Sequence, residues 1–263
     1  MSHPGTRFTC MPRRHAAILC DIDGCLGPES SHPLDIVGLS RIAEHNRRAE
    51  GGSSDVPVLT LCSGRPQPFA EALCRTLANT TMPIVAENGV WLFHPATSAF
   101  MLDPTITDDH LRMVAEATGY IRRDLVPRGV VIQPGKTASI SLYHEDTSVL
   151  MRLRDELRER FSRESWSLRV SNTVRWINCD LEHVSKSTGI DRFMAVTGLQ
   201  KPVLAGIGDS LSDLAIRTHV AWFACPSNAD ERLKEHADYV SPHAEIAGVL
   251  DIVGRLTSST LKG

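Results

Sequence analysis

Two pairs of aspartates carry the strongest chemical signal in the sequence. Asp21 and Asp23 follow the apolar run 16–20 and stand two positions apart, so both side chains return to one side of the chain. Carboxylates this close repel each other unless a cation or a proton relieves them. One of them could attack phosphorus while the other transfers a proton. Taken alone, the pair is equally compatible with a capped loop followed by an Asp-Gly turn.

The second pair, Asp209 and Asp213, flanks a turn after the apolar run 203–205. Carboxylates four positions apart at the start of a helix can face one cation. Mg²⁺ prefers such hard oxygen ligands and keeps part of its water shell. The alternative is a helix cap at Asp209 or Ser210 with a solvated Asp213.

Two further positions could bind an anion. The Ser63 hydroxyl and the Gly64 backbone N–H form a cradle suited to phosphate, and Pro66 can open a helix whose N-terminus favours anions. Lys186 stands at a predicted helix start, where its ammonium could neutralise phosphate. A strand-Ser-Gly turn is usually structural, and a lone lysine is usually solvated. Together with the two acid pairs, all at predicted strand ends, they favour phosphoryl transfer.

Two different patterns of secondary structure must position these groups. Strands and helices alternate up to residue 86 and again after residue 186, which is typical of a doubly wound, Rossmann-like α/β parallel sheet. Such sheets bind ligands at the carboxyl ends of their strands. The middle of the chain reads as short strands with two amphipathic helices. We therefore predict a core formed by residues 1–91 and 184–263, with residues 92–183 inserted as an α+β cap that determines substrate specificity.

The predicted elements follow from these patterns. The predicted core strands are 16–20, 56–61, 84–86, 202–207, 220–224 and 239–240, and the predicted core helices are 34–49, 68–78 and 244–256, with a loop at 51–54. The predicted cap strands are 90–93, 129–133, 138–143, 168–171 and 174–179, and the predicted cap helices are 108–124 and 147–161, with a hairpin turn at 171–173. Strand alternation puts Trp176 and Asn178 on one face and Arg175 on the other.

Composition narrows the class of protein. The chain has 263 residues, of which 42% are hydrophobic and 22% charged, and its net charge of -3 gives no basic footprint for nucleic acid. No apolar run approaches the ~20 residues that span a bilayer. The seven cysteines include no Cys-x-x-Cys. These features favour a reducing cytoplasm and a protein that acts without nucleic acid or a membrane. We also expect a monomer or a homodimer.

The two aspartate pairs, the Ser63-Gly64 turn and Lys186 resemble the four motifs of the haloacid dehalogenase (HAD) superfamily of phosphohydrolases. The matching stretches are Asp21 to Leu26, Ser63-Gly64-Arg65, Lys186, and Gly208-Asp209 through Asp213. The insertion between the second and third motifs is similar to the type IIB cap of the Cof-like, sucrose-phosphatase-like and phosphoglycolate-phosphatase-like branches. Glu87-Asn88-Gly89 matches the Glu-Asn-Gly that those branches carry before the cap, and residues 228–234 and 237–240 resemble their C-terminal segment.

The resemblance implies specific roles for these residues. It implies that Asp21 becomes a phosphoaspartate and that Asp23 is the general acid and base. Phosphate would be held by Ser63, the Gly64 amide and Lys186. Mg²⁺ would be bound by Asp21, the Asp23 backbone carbonyl, Asp209 and Asp213. The implied substrate is a small phosphorylated metabolite, either a sugar phosphate or a phosphoglycolate-like acid, with candidate contacts at Arg65, Asn88, Asn178 and Ser210.

Departures from the family pattern leave alternatives open. Cys25 replaces the usual Thr, Ser187 the frequent Gly, and Ser212 the usual Asn. A phosphomutase or phosphotransferase would use the same groups, and a non-catalytic phosphate-binding protein could share the scaffold. A serine esterase is a further alternative, because residues 208–211 spell Gly-Asp-Ser-Leu and residues 180–183 spell Asp-Leu-Glu-His. That esterase family places its serine and histidine in the opposite order along the chain.

Overall fold

The computed structural model describes residues 15–29, 32–51, 56–173 and 175–258. Parts of three predictions lie outside these residues. They are residues 1–14, 30–31, 55 and 259–263 of the predicted core, residues 52–54 of the predicted loop, and Val174, the predicted start of a cap strand.

Strands and helices alternate along most of the described chain. The elements are β1 (Ala17–Cys20), α1 (Ile36–Glu50), β2 (Val58–Leu61), α2 (Gln67–Thr76), β3 (Ile84–Ala86), β4 (Trp91–His94), β5 (Ala99–Leu102), α3 (Asp108–Tyr120), β6 (Val131–Ile132), β7 (Ser139–Tyr143), α4 (Thr147–Glu164), β8 (Leu168–Asn172), β9 (Trp176–Leu181), α5 (Lys186–Thr197), β10 (Leu204–Ile207), α6 (Leu214–His219), β11 (Trp222–Cys225), α7 (Glu231–Lys234), β12 (Tyr239–Val240) and α8 (Glu245–Ser258). None of the helices among the described residues is long and apolar enough to cross a membrane.

A parallel sheet forms the centre of the core. Its strand order is β12-β11-β10-β1-β2, and β1 pairs in parallel with both β10 and β2. Every residue of β1, β2 and β10 is buried, as expected where helices cover both faces of a sheet. An isolated parallel bridge between Cys62 and Val85 brings β3 beside the end of β2. The predicted doubly wound α/β core is therefore confirmed.

An antiparallel sheet, β3-β4-β5, extends from this core. Strand β5 was not predicted, because its four residues are only partly buried or exposed and show no alternation of polar and apolar side chains. Leu92 and Phe93 of β4 pack into clusters formed mainly by core residues. This sheet crosses the predicted domain boundary at residue 91, and the division into core and cap stays a prediction.

The inserted segment contains a second antiparallel sheet, in the order β6-β7-β9-β8. One face packs against α3 and α4 through residues such as Ile140, Leu142, Ile177 and Cys179. The residues that alternate with these along each strand point away from that cluster and towards the core. Trp176 and Asn178 share this second face, as the alternation predicts. The predicted α+β character of the insertion is confirmed.

The predicted helix 108–124 changes geometry before its end. Helix α3 ends at Tyr120, and a wider turn follows over 121–125, in which the Val126 N–H donates to the Ile121 carbonyl. Pro127 accounts for this change, because a proline has no N–H to donate and its ring clashes with the carbonyl four residues earlier. A left-handed Gly129 then ends the segment.

Candidate active site

A cavity of about 1030 Å³ lies between the strand ends of the core and the second face of the cap sheet. Of the residues predicted for the site, all but Asp213 line it: Asp21, Asp23, Ser63, Gly64, Arg65, Asn88, Asn178, Lys186, Asp209 and Ser210. Asp213 is fully buried directly behind this lining. The structure thus brings the predicted groups together at one place, the carboxyl ends of the parallel strands.

Asp21 occupies the end of β1 at the floor of the cavity. Its backbone N–H donates to the Ile207 carbonyl at 3.0 Å, and its Oδ1 accepts from the Ile22 N–H at 2.8 Å. The residue is only 6% exposed. Burial raises the pKa of Asp21 to about 7; the Lys186 ammonium opposes this, and the Asp213 and Asp23 carboxylates add to it. The Lys186 ammonium thus favours the ionised form of Asp21 against the effect of burial.

Lys186 connects the two acid pairs. Its Nζ lies 2.9 Å from Asp21 Oδ2 and 2.6 Å from Asp213 Oδ1. Burial alone lowers the pKa of Lys186, but these two carboxylates raise it well above its usual value. The side chain is placed by the capping box of α5, in which the Ser185 hydroxyl accepts from the Thr188 N–H. The ammonium is therefore charged and fixed in position beside Asp21.

Both carboxylate oxygens of Asp213 already have donors from the protein. Oδ1 accepts from Lys186, and Oδ2 accepts from the backbone N–H groups of Asp209 and Ser210, each at 3.0 Å. Asp213 thereby fixes the turn that carries Asp209. The alternative of a solvated Asp213 is wrong, because the residue is completely buried.

The Asp209 carboxylate has no hydrogen-bond donor among the described residues. It forms a cluster with Asp21 and Asp213, in which one oxygen from each lies within 4.8 Å of the others. Burial raises the pKa of Asp209 to about 9, and the Asp213 and Asp21 carboxylates act in the same direction. A hard divalent cation would relieve this repulsion, so the acid cluster fits Mg²⁺.

Gly24 allows Asp209 to approach the Asp21 loop. Its φ is +72°, and a Cβ at this position would lie 1.9 Å from Asp209 Oδ2. The Gly24 carbonyl accepts from the Asn228 side chain at 2.9 Å. Asn228 lies in the C-terminal segment that the resemblance singled out, but no role was predicted for this residue.

The predicted phosphate cradle lies beside Asp21. Ser63 is almost completely buried, its N–H donates to the Val85 carbonyl, and its hydroxyl accepts from the Arg65 N–H at 3.2 Å. Gly64 faces Asn88, whose Oδ1 would be 3.0 Å from a Cβ at that position. A Cβ at position 64 would crowd the Asn88 side chain, so the glycine eases the close approach of the Asn88 turn.

Arg65 and Asp23 form an ion pair that sequence reasoning missed. The Arg65 Nε donates to both Asp23 oxygens, at 2.8 and 3.0 Å, and an Nη group also contacts Oδ1. The guanidinium lies 5.1 Å above the Phe69 ring. Arg65 was predicted as a substrate contact; in this structure it faces the cavity and orients Asp23.

Ser210 has the environment of a helix cap. Its hydroxyl contacts Asp213 and the Ser212 hydroxyl, and its N–H donates to Asp213. The histidine of the esterase-like stretch, His183, instead packs against the His110 ring in the inserted segment. No base contacts Ser210 among the described residues other than the already paired Asp213, so the geometry of a serine esterase is absent there.

Three cross-strand rows cover the cavity from the cap side. The first contains Ser139, Asp180 and Arg169; the second contains Ser141, Asn178 and Ser171; and the third pairs Tyr143 with Trp176. The Ser141 hydroxyl donates to Asn178 Oδ1, and the two aromatic rings lie 5.5 Å apart. The cap thus presents hydroxyls, an amide, one paired charge and an aromatic face to the cavity.

Comparison with known proteins agrees with this arrangement. A family model described as haloacid dehalogenase-like hydrolase matches residues 131–253. The phosphoglycolate phosphatase 1 of Saccharolobus solfataricus is 32% identical over 78 residues, which are 30% of this chain and 34% of the relative. The matched part of the chain therefore spans about a third of that relative's length.

Solved structures show the same fold over nearly the whole chain. A haloacid dehalogenase-like hydrolase from Bacteroides thetaiotaomicron superposes with a TM-score of 0.66 at 17% identity, covering 92% of this chain and 100% of that one. The sucrose-phosphatase of Synechocystis sp. PCC6803, solved with sucrose and phosphate, superposes with a TM-score of 0.64 at 15% identity, covering 92% and 98%. Residues 131–253 match that family model and nearly the whole chain shares the fold of these hydrolases, so the resemblance predicted from the four motifs is confirmed.

Proposed function

We propose that this protein is a Mg²⁺-dependent phosphomonoesterase that works through a phosphoaspartate on Asp21. The observation that carries the proposal is the contact of Asp21 with Lys186, at the floor of a cavity that also holds Ser63 and Asp209. A nucleophile, a phosphate-binding cation and a metal-binding acid meet there. Phosphoryl transfer depends mainly on such positioning and charge neutralisation.

The proposed reaction has two steps. An Asp21 oxygen attacks phosphorus, the ester bond to the leaving oxygen breaks, and Asp23 donates a proton to that oxygen. Asp23 then accepts a proton from a water that attacks the phosphoaspartate, which releases phosphate and restores Asp21. Ser63, the Gly64 amide and Lys186 hold the phosphoryl oxygens. In this scheme the Arg65–Asp23 pair must open when substrate enters.

The proposed cation site consists of Asp21, the Asp23 backbone carbonyl and Asp209, with Asp213 beside them. A bound Mg²⁺ would supply positive charge that offsets the carboxylates and the incoming phosphate. Because both Asp213 oxygens accept from protein donors, we assign direct binding to Asp209 and an orienting role to Asp213.

Mg²⁺ is expected to raise the melting temperature of the wild type by about 5 °C at a hundredfold excess over its Kd. Asp209→Asn should remove most of this shift, because it removes the acid with no protein partner. Differential scanning fluorimetry with and without EDTA measures this directly and requires no turnover. Asp108→Asn, at an exposed position of α3, is the matched control. An unchanged Mg²⁺ shift in Asp209→Asn would contradict the assignment.

For the substrate, we propose a phosphorylated sugar or polyol rather than a phosphoglycolate-like acid. The proposal is supported by the cap face, where Ser141, Asn178 and Ser171 offer neutral hydrogen-bonding groups and Trp176 offers a ring face. Asp180 lies on the same face with Arg169 at 4.0 Å, so this charged row is paired and adds no net positive charge for a substrate carboxylate. Rows two residues apart are about 7 Å apart along a strand, so the face suits a molecule larger than glycolate.

A screen of phosphorylated metabolites with Mg²⁺ tests both function and substrate class. Sugar phosphates should give kcat/KM values about tenfold or more above phosphoglycolate, the difference expected from one or two hydrogen bonds to neutral hydroxyls. Release of free phosphate supports hydrolysis. Formation of an isomeric sugar phosphate would favour a phosphomutase instead, and turnover of acyl esters without any phosphate release would defeat the proposal.

The cysteines support the proposed cytoplasmic location. The cysteines at positions 20, 25, 62, 74, 179 and 225 are buried free thiols, which suits a reducing compartment. Whether the protein is a monomer or a homodimer stays a prediction.

A further inference from the structure

The Glu87-Asn88-Gly89 turn has an unusual backbone that the proposed chemistry does not explain. Glu87 and Asn88 have φ values of +51° and +53°, in a region that residues other than glycine rarely adopt. Two successive residues persist there only where their surroundings hold them, and such positions cluster at functional sites. The contacts of this turn therefore indicate what holds its backbone in this conformation.

On its core side, the turn touches both segments that would hold phosphate. The Glu87 N–H donates to the Arg65 carbonyl at 2.9 Å, and the Asn88 N–H donates to the Ser63 carbonyl at 3.1 Å. Gly89 packs so closely against the start of α5 that a Cβ would lie 2.2 Å from the Ser185 carbonyl oxygen. The turn thus links the Ser63 cradle to the helix that carries Lys186.

On its cap side, the same turn holds two parts of the inserted segment. The Glu87 side chain is completely buried, and its Oε1 accepts from the N–H groups of Thr137 and Ala138, both at 2.8 Å, and from the Ser139 hydroxyl at 3.0 Å. The Asn88 amide lies 3.3 Å from Asp180. A single core turn therefore fixes the loop before β7 and the end of β9.

At this junction two buried atoms, one acidic and one basic, have no hydrogen-bond partner among the described residues. They are Glu87 Oε2 and Lys136 Nζ, which belong to facing segments. Lys136 directly precedes Thr137, whose N–H is bonded to Glu87. Burial lowers the pKa of Lys136, while the Asp180 and Glu87 carboxylates raise it. Unpaired buried charges are costly, so a cap position in which the two atoms meet gains a direct ion pair.

We propose that Glu87 is a positioning residue that couples the cap to the phosphate cradle, with Lys136 as the counter-ion that it engages when phosphate is bound. This inference rests on the proposed phosphatase function. Phosphate at Ser63 and Lys186 moves the turn, the turn moves the loop 136–139, and the Glu87–Lys136 contact stabilises the closed cap. Closure excludes water from the cavity and commits the substrate.

Hydrogen exchange of the cap loop, measured by mass spectrometry on peptides covering 131–143, tests the coupling. With Mg²⁺ and inorganic phosphate, exchange in the wild type should slow. In Glu87→Ala, exchange should be about tenfold or more faster, the size expected for lost hydrogen bonds to a charged acceptor, and phosphate should no longer slow it. Glu87→Gln, which keeps an acceptor oxygen, should restore the basal protection. Lys136→Met should keep basal protection but lose the phosphate effect.

Glu116→Ala, at an exposed position of α3, is the matched control and should behave as the wild type. Ser139→Ala gives a milder loss of basal protection if Glu87→Ala does not fold. In activity assays with p-nitrophenyl phosphate, Glu87→Ala should raise KM more than it lowers kcat, with recovery in Glu87→Gln.

The coupling is overturned if phosphate slows exchange of the loop equally in the wild type, Glu87→Ala and Lys136→Met. It is also overturned if phosphate leaves exchange of the wild-type loop unchanged. A wild type that turns over no phosphate ester but shows the phosphate-dependent protection, lost in Glu87→Ala, would defeat the proposed function and leave the coupling standing.

Discussion

Asp21→Asn is expected to lower phosphate release by at least about 10³-fold, because losing the nucleophile removes the first step of the proposed reaction. The substitution keeps the size of the side chain and an oxygen that can accept from the Ile22 N–H. Lys186 keeps its contact with Asp213 after the substitution, so its buried ammonium retains a counter-ion and the folded state is expected to remain intact. Steady-state assays with p-nitrophenyl phosphate and Mg²⁺ measure the loss.

Circular dichroism and the melting temperature should show that Asp21→Asn is folded, and Asp108→Asn should retain wild-type activity. Intact-mass analysis after acid quenching adds a second readout, since the variant should gain no phosphoryl group. Phosphate release by Asp21→Asn at the wild-type rate would defeat the mechanism, whatever the substrate proves to be.

Asp23→Asn is expected to lower steady-state turnover by about 10²–10⁴-fold, the usual contribution of a general acid and base. An asparagine cannot exchange the proton, although its oxygen can still accept from Arg65. The loss should depend on the leaving group. It should be smaller in the first step with p-nitrophenyl phosphate than with glycerol phosphate, because p-nitrophenolate leaves without needing a proton.

Rapid quenching separates the two steps in Asp23→Asn. With p-nitrophenyl phosphate, a burst of p-nitrophenol should precede slow turnover, and the phosphorylated protein should accumulate because the hydrolytic water lacks its base. Asp21→Asn/Asp23→Asn is the matched control and should show neither. Wild-type turnover in Asp23→Asn would assign the proton transfer to another group and leave Arg65 without the orienting role described above.

Much of the fold could be predicted from local patterns. Strand β1 is a short run with every residue buried, and such a run, followed at once by Asp21, indicates a strand that ends at a site. Lys186 begins α5, as predicted from its place at the return to the core. Strand β5 was missed because edge strands of a few exposed residues carry little periodic signal. The wide turn at 121–125 arises from the hydrogen bonding around Pro127, which a hydrophobic pattern does not record.

The sequence by itself determined which groups stand at the strand ends, and therefore the reaction class that they favour, because each group is fixed by its own strand and the turn after it. The tertiary structure alone decided how those groups pair across the chain. Arg65 bonds to Asp23, Lys186 bridges Asp21 and Asp213, and Glu87 of the core holds the loop before β7. These contacts join residues that are far apart in the chain. They depend on how closely two elements pack and on which hydrogen-bond donors remain unpaired after burial. A local sequence pattern specifies neither of these two properties.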